Sequence, residues 1–446
     1  MSDRPINDSP ITEDIVYACT CDFAGKTRGK GFPARDLEKR VHRGIGWAPT
    51  NTQITCFDAI APSPFGALGD RVLIPDPATR VTLRALDQGL AEDFVLGDLY
   101  DTDGQPWALC PRGILKAALA RLERVAGLSL VASFEHEFQF RDCGMGPGTG
   151  YALQGFRPHR VFAERLVGAM RAAGLEPDTI MKEYGADQFE VTMDPAPGLA
   201  AADRAVILRQ LVHAVAESCG QAATFTPLQD PAGIGNGVHV HFSFRDAAGA
   251  PATYDPQGTH RLSAAAASFA AGVLAHVDAI MALMAPSVVS YGRLTPHRWS
   301  AAFNNLGVQD REASLRICPV SALSDIDTAR QFNLEFRAAD ATASPYLQLA
   351  ALVHAGCQGI EDGLSAPQAT EEDLADLSPE ALAARGLRRL PTSLPQALAL
   401  FADSALVKDW FGAEFVTVYR LHKQGEIDHV ADMTPAEMHR AYAMVY

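Results

Sequence analysis

Basic residues are scarce in this chain. Its 38 Lys and Arg face 53 Asp and Glu, which leaves a formal net charge of −15. Binding to nucleic acid needs clustered Lys and Arg against the phosphates. The only candidate stretch, Arg40 to Arg43, is short and mixed, so nucleic acid is excluded as a partner. Zinc-site spacing is missing too. The eight cysteines are scattered and only Cys19 and Cys21 stand close, so they read as ordinary reduced thiols. No long apolar run is free of polar residues. The most apolar segment, Ala264 to Met284, contains His276 and Asp278 and is rich in alanine, so it reads as a buried helix and not a membrane span. Met1 to Pro10 is polar, carries two prolines and does not resemble a secretory signal. Internal repeats and low-complexity tracts are absent. A cytoplasmic protein with no membrane partner is expected.

What is present is an ordinary globular balance, 48% hydrophobic and 20% charged residues, over a length that calls for more than one domain. Asp14 to Phe23 reads as a strand, Thr27 to Gly31 as a turn and Asp36 to Arg43 as a helix. Thr52 to Ile60 and Arg71 to Ile74 read as further short strands. Asp, Gly and Pro cluster at Asp101 to Pro106 and mark a break. An amphipathic helix then runs from Pro111 to Ala126, with proline at its start and Gly127 past its end. Helical patterns follow at Pro158 to Ala173, Ala201 to Cys219, His260 to Met284 and Ser344 to Gly363. Ala366 to Ala384 reads as an exposed acidic insertion, and Leu394 to Phe411 and Pro435 to Met444 as further helices. Without a regular βαβ repeat, the class is α+β. A small N-terminal domain, residues 1–105, precedes a large one, residues 106–446, with mostly antiparallel strands and helices outside.

Four strand-like segments carry charge on one face. S-F-E-H-E-F-Q-F, Ser133 to Phe140, puts Glu135, Glu137 and Gln139 on one side and Phe134, His136, Phe138 and Phe140 on the other. D-Q-F-E-V-T groups Gln188, Glu190 and Thr192. V-H-V-H-F-S-F groups His239, His241 and Ser243. N-L-E-F-R groups Asn333, Glu335 and Arg337. A solvated sheet face would draw freely on Lys, Thr and Ser, yet Lys is absent from all four. Glu135 and Glu137 repel each other unless a cation lies between them. Carboxylates with imidazole favour Mg²⁺ or Mn²⁺ over zinc, so these strands predict a cation-lined cavity.

In order and spacing, these segments resemble the signature strands of the glutamine synthetase family, from about Asp14 to Ala355. The resemblance implies a β-grasp-like N-terminal domain and a catalytic domain with a curved antiparallel sheet and outer helices. F-E-H-E-F matches the paired-glutamate strand and K-E-Y-G-A-D-Q-F-E the glutamate-rich turn. Together they imply that Glu137, Glu183 and Glu190 hold one metal. G-I-G-N-G-V-H-V-H-F-S and L-E-F-R imply that Glu135, His239 and Glu335 hold another. Two or three Mg²⁺ or Mn²⁺ ions and ATP are thus implied. His241, Ser243 and Asn333 fall to the nucleotide, as does Phe225 of A-T-F-T-P in the adenine pocket. Arg293 of S-Y-G-R-L-T-P, Arg337 and Gly235 fall to the acid substrate. Arg311 and Arg316 of D-R-E-A-S-L-R-I would stabilise the transferring phosphoryl group. The reaction implied is activation of a carboxylate as an acyl phosphate and its capture by an amine. A dodecameric double ring with active sites shared between neighbours is implied as well.

The amine end departs from the family's pattern. W-A-P-T-N-T sets Asn51 where ammonia-using members carry an aspartate, with Asp58 nearby; a neutral amide cannot act as that base. Six residues beyond Arg293, where those members carry a glutamate, stands Trp299. Ile234 replaces an asparagine before Gly235. The expectation is a ligase of the γ-glutamyl-amide or γ-glutamylpolyamine branch, joining glutamate or a glutamate-like acid to an amine other than ammonia. An ammonia-using glutamine synthetase, a guanidino kinase on a related catalytic domain and a non-catalytic relative are the alternatives.

Overall fold

The computed structural model describes residues 13–86, 90–141, 143–144, 148–323 and 326–446; Met1 to Pro10 lies outside them. In the small domain the strands Thr27–Pro33, Ile15–Cys21, Leu90–Asp101, Arg71–Pro75 and Ile45–Trp47 lie side by side in that order, and Val81–Leu86 also pairs with Leu90–Asp101. Ile15–Cys21 runs parallel to Leu90–Asp101, and the other pairs are antiparallel. The helix Leu37–Arg43 packs on Arg71–Pro75, which gives the small sheet crossed by a helix.

Two local readings change. Thr27 to Gly31 is not a turn but the start of a strand. The chain reverses before it, where the Asp22 carboxylate accepts the backbone N–H of Ala24 at 2.9 Å and of Lys26 at 2.8 Å and Gly25 adopts φ +70°. Thr52 to Ile60 is not a strand. Pro49–Gln53 forms a short 3-10 turn, and one bridge, Ile54 to Ile60, closes the loop.

The large domain is built on a sheet whose path runs Ala369–Thr370, Phe303–Gly307, Ala313–Ile317, Leu334–Ala339, Val238–Arg245, Ser129–Phe140, Gln188–Met193, Pro177–Lys182. Neighbours are antiparallel except around Phe303–Gly307, which is parallel to both of its partners. Alternation along Ser129–Phe140 and Val238–Arg245 is as the sequence predicts: Phe134, Phe138, Phe140, Val240 and Phe242 are buried. The helix Gly198–Ser218 packs against Ser129–Phe140.

The Ala264–Met284 helix is long and apolar enough to cross a membrane by length and hydropathy alone. Here it is mostly buried, packed against Pro345–Glu361 and Leu394–Asp403. The first of these contacts needs glycine: a Cβ at Gly272 would stand 2.3 Å from the Ala355 carbonyl oxygen, and one at Gly359 2.2 Å from that of Ser268.

Arg112, 2% exposed, joins the domains. It pairs with Asp98 at 2.7 Å and Asp76 at 2.7 Å from the small domain and with Asp203 at 2.9 Å from the large one. Tyr346 donates to Asp203 at 2.6 Å. Three further readings change. Ala366 to Ala384 is not wholly exposed: Ala369–Thr370 extends the sheet edge, and Leu374 and Leu382 pack against Ala302 and Phe303. Leu394 to Phe411 is two helices, Leu394–Asp403 and Ala405–Phe411, the second capped by Ser404. The helix Ala413–His429 was not foreseen, because its buried face includes His422, Lys423 and Glu426, which hide the apolar period.

Candidate active site

Strand register assembles the charged cluster. His239 sits opposite Glu135 and Glu137 opposite Glu190. Glu335 has His241 opposite it on one neighbouring strand and Arg316 on the other. Antiparallel partners bring their Cβ atoms to roughly 5 Å, so the pairing alone collects carboxylates and imidazoles from four strands. His239 Nδ1 lies 2.6 Å from Glu135 Oε1 and 3.6 Å from Glu335 Oε1, and His241 Nε2 lies 3.4 Å from Glu135 Oε2. Ligand atoms of Glu135, Glu190 and His239 fall within 4.8 Å of one another, as do those of Glu135, His241 and Glu335. Of the set expected on one metal, His239 lies beside both Glu135 and Glu335, while the two close groups pair Glu135 with His241 and Glu335 and with Glu190 and His239. Glu190 reaches toward Glu135 and His239 as well as toward its strand partner Glu137.

Glu137 is held by the Gly237 N–H at 2.6 Å and by Gln188 Nε2 at 3.4 Å. The Tyr184 N–H donates to Glu183 at 2.8 Å. Tyr151, which sequence reasoning missed, hydrogen-bonds Glu183, and burial and then Glu183 hold its phenol proton above the ordinary range. It stands at φ +54°, in a loop with no strand periodicity to flag it.

The electrostatics separate two zones. At Glu190, burial and then Glu135 and Glu137 push the carboxyl up to about 10. Burial and the repulsion of Glu137 and Glu135 raise Glu183, against the bond from Tyr184. At Glu335 burial acts upward, but Arg337, His239 and His241 outweigh it and hold the carboxyl at about 2. Glu335 is gripped by Arg316 at 3.1 Å and by Arg337. The zone of Glu137, Glu183 and Glu190 thus holds carboxylates with no cationic side chain bonded to them among the described residues. Their oxygen chemistry suits a hard divalent cation, but these three do not close to within 4.8 Å of one another as the two groups around Glu135 do.

Arg293 is 4% exposed. It donates to the Ala339 carbonyl at 2.6 Å and to Ser300 Oγ at 3.1 Å. Gly235 packs against it: a Cβ there would lie 2.6 Å from Arg293 Cγ and from the Pro227 carbonyl oxygen. Ser243 and Asn333 line a cavity of about 300 Å³ with Glu135, His241 and Arg330, and His241 Nδ1 lies 3.0 Å from Asn333 Oδ1.

Other expected residues sit apart. Phe225 is buried and touches His136 and Phe138, with ring centres 5.9 and 5.6 Å away. Those two side chains face away from the glutamates, so Phe225 lies behind the sheet and cannot line the Ser243 cavity. Arg311 is exposed, and what reaches the site is its carbonyl, which accepts from Arg337 Nε at 2.9 Å. Trp299 is 64% exposed and adopts φ +53°. Its N–H donates to Glu312 at 2.8 Å and its carbonyl accepts from Arg337 at 3.4 Å, while Glu312 also accepts from the His297 N–H at 2.9 Å. Asn51 is half-buried in the small domain. Asp58 stands on a loop at φ +58° with its side chain 83% exposed, 3.1 Å from Arg28.

A sheet that gathers glutamates, histidines and arginines in this way suits a site for divalent cations beside carboxylate or phosphate groups, and comparison with known proteins identifies the family. Residues 10–107 match the glutamine synthetase N-terminal domain and residues 108–441 the glutamine synthetase catalytic domain. The chain belongs to the glutamine synthetase family, whose catalytic domain makes it an ATP-dependent carbon–nitrogen ligase. It is 34% identical over 443 residues to the gamma-glutamylpolyamine synthetase GlnA3 of Streptomyces coelicolor, covering 95% of this chain and 92% of that one. It is 30% identical over 382 residues to type-1 glutamine synthetase 1 of Dictyostelium discoideum, covering 80% and 76%. A crystal structure described as a novel glutamine synthase homolog superposes with a TM-score of 0.90 at 39% identity, covering 99% of this chain and 100% of that one.

Proposed function

We propose that this protein joins the γ-carboxylate of glutamate, or of a glutamate-like acid, to an amine other than ammonia, through an acyl phosphate. The observation that carries this reading is the contrast between the two ends of the site. The metal and phosphoryl end gathers Glu135, Glu190, His239, His241 and Glu335 with Arg316 and Arg337 around them. The loop where ammonia-using relatives bear a carboxylate bears an exposed tryptophan, Trp299, whose backbone is tied to Glu312 and Arg337. Ile234 supports the same conclusion. Asn51 adds less, because Asp58, an exposed acid of the small domain that pairs with Arg28, stands nearby.

Glu137, Glu183 and Glu190 would hold one Mg²⁺ or Mn²⁺, and Glu135, His239 and Glu335 a second. When bound, such ions neutralise charge on the acid and on the transferring phosphoryl group. Arg293 binds the α-carboxylate of the acid with Gly235 leaving it room, and Arg337 binds at the reacting end. Arg316 stabilises the phosphoryl charge, with Arg311 at the rim. His241, Ser243 and Asn333 receive the nucleotide. The carboxylate oxygen attacks the γ-phosphorus of ATP and ADP leaves. The amine nitrogen then attacks the acyl carbon, phosphate departs with the carbon–oxygen bonding pair, and the nitrogen loses a proton to a carboxylate base, the role assigned to Glu183. Trp299 offers an apolar face to the amine's carbon chain.

The same reading divides the chain at 105/106, assembles it into a homo-oligomeric double ring of twelve with shared sites, and places it in the cytoplasm. The test is phosphate release from ATP, Mg²⁺ and glutamate against a panel of amines. Release with an alkylamine or polyamine well above that with ammonium supports the assignment. Ammonium as the best acceptor overturns it.

A further inference from the structure

A second cavity, of about 400 Å³, opens between the domains, away from the carboxylate cluster. Lys26, Thr27 and Arg28 line it from the small domain, and Arg209, Gln210 and His213 from the helix Gly198–Ser218; Phe225 and Tyr446 supply aromatic wall. Its charge is unbalanced. Arg209 is 4% exposed, yet it bonds only the carbonyls of Ala341 and Ala343 and the Cys21 sulfur. No carboxylate pairs with it among the described residues. Lys26 Nζ lies 4.5 Å from the centre of the Tyr446 ring and likewise has no carboxylate partner among the described residues.

The one acidic side chain in the lining, Asp58, is taken by Arg28, as is Asp22 behind it at 2.7 Å. Thr27 Oγ1 is buried with no hydrogen-bond partner. His213 does not add charge of its own: burial and then Lys26 and Arg209 push it down to about 4. A protein carrying net charge −15 thus keeps Arg209 and the half-buried Lys26 around one cavity with no carboxylate bonded to either among the described residues, burial lowering the hold of Lys26 on its proton against Cys56 and Asp22, beside a hydroxyl with no hydrogen-bond partner. Uncompensated buried charge is costly, and a negative ligand removes that cost.

We propose that this interdomain cavity binds a small dianion bearing carboxylate or phosphate groups. Lys26 and Arg209 supply the countercharge, and Thr27 and Gln210 supply hydrogen bonds. The ligand ties the Asp22–Lys26 reversal of the small domain to the catalytic domain. It also touches the wall that carries the Arg28–Asp58 pair.

The experiment is thermal denaturation of the full chain without nucleotide, titrated with malonate and, separately, inorganic phosphate. Sodium chloride at matched ionic strength is the reference. A saturable rise in Tm with either anion is expected, and which anion acts identifies the group recognised. Lys26→Met, which keeps the aliphatic stem, should weaken the apparent affinity at least tenfold. Thr27→Val should weaken it less, and Lys26→Arg should restore it. Arg316→Gln, at the phosphoryl end of the active site, should leave it unchanged. No saturable shift with either anion overturns the proposal. So does a shift that survives Lys26→Met, or one that disappears in Arg316→Gln.

Discussion

Replacing Glu190 with glutamine should make the metal-free protein more stable while abolishing its metal-dependent activity. In the folded chain, burial and the neighbouring Glu135 and Glu137 raise this carboxyl from 4.5 to about 10. At neutral pH the unfolded chain carries it ionised, and the folded chain must protonate it. The cost is 2.303RT multiplied by the gap between pH 7 and the unfolded value, about 3 kcal/mol. The sign follows from proton binding. The folded state holds the extra proton, so stability is highest near and below pH 4.5 and is lost as pH rises toward 10. Glu183, also raised, adds to the same slope.

Chemical denaturation in chelator at pH 5, 7 and 9, at fixed protein concentration, reads this directly. Wild type should lose stability across that window, and Glu190→Gln should lose distinctly less. Added Mg²⁺ or Mn²⁺ should flatten the wild-type profile, because the ion takes over the role of the proton, and should do little for the variant. Parallel pH profiles for the two proteins in chelator would refute the reasoning. They would mean that the four glutamates do not crowd one another in the folded chain.

Arg112→Met leaves Asp76, Asp98 and Asp203 without their shared cation. Breaking a buried ion pair from one side costs about 3–5 kcal/mol, so a loss of that order in unfolding free energy from denaturant titration is expected, and a loss under about 1 kcal/mol would show that the hub is not structural. Glu312→Ala strips the acceptor from two backbone N–H groups that hold His297 and Trp299 at positive φ. With solvent screening these bonds amount to roughly 1–2 kcal/mol together. KM for the amine should rise about tenfold with KM for the acid little changed; equal rises in both would refute a specific role in shaping the amine mouth. Trp299→Glu should raise phosphate release with ammonium relative to an organic amine, and an unchanged ratio would remove Trp299 from amine selection.

The catalytic sheet was legible because a strand with one face in a hydrophobic core and the other in a charged cavity must alternate strictly. Phe134, His136, Phe138 and Phe140 against Glu135, Glu137 and Gln139 admit one orientation, and a one-residue slip would bury the glutamates. The small domain was harder. Thr27–Pro33 has no apolar face of its own and becomes a strand only because Ile15–Cys21 offers its edge. The helix Ala413–His429 was hidden because buried Lys423 and Glu426 pair with each other and buried His422 bonds the Ile54 carbonyl, so composition marks as surface what the fold places in the core.

The same logic explains why Phe225, Arg311 and Asn51 were hard to place. Each lies in a loop or a short segment, where period says nothing about which way a side chain faces. Phe225 follows the two-residue strand Ala223–Thr224, which pairs with the end of Ser129–Phe140. The chain there passes behind the sheet, so the aromatic ring joins the core. Arg311 leads into Ala313–Ile317 but precedes its first paired residue, so register does not aim it at the cavity as it aims Arg316. Metal and phosphoryl chemistry is therefore written in strands and readable from alternation. Amine choice is written in the Trp299 loop, whose shape depends on Glu312, a residue from another loop. A carboxylate at position 312 signals nothing by itself. Only the fold reveals that it holds the backbone on which Trp299 stands.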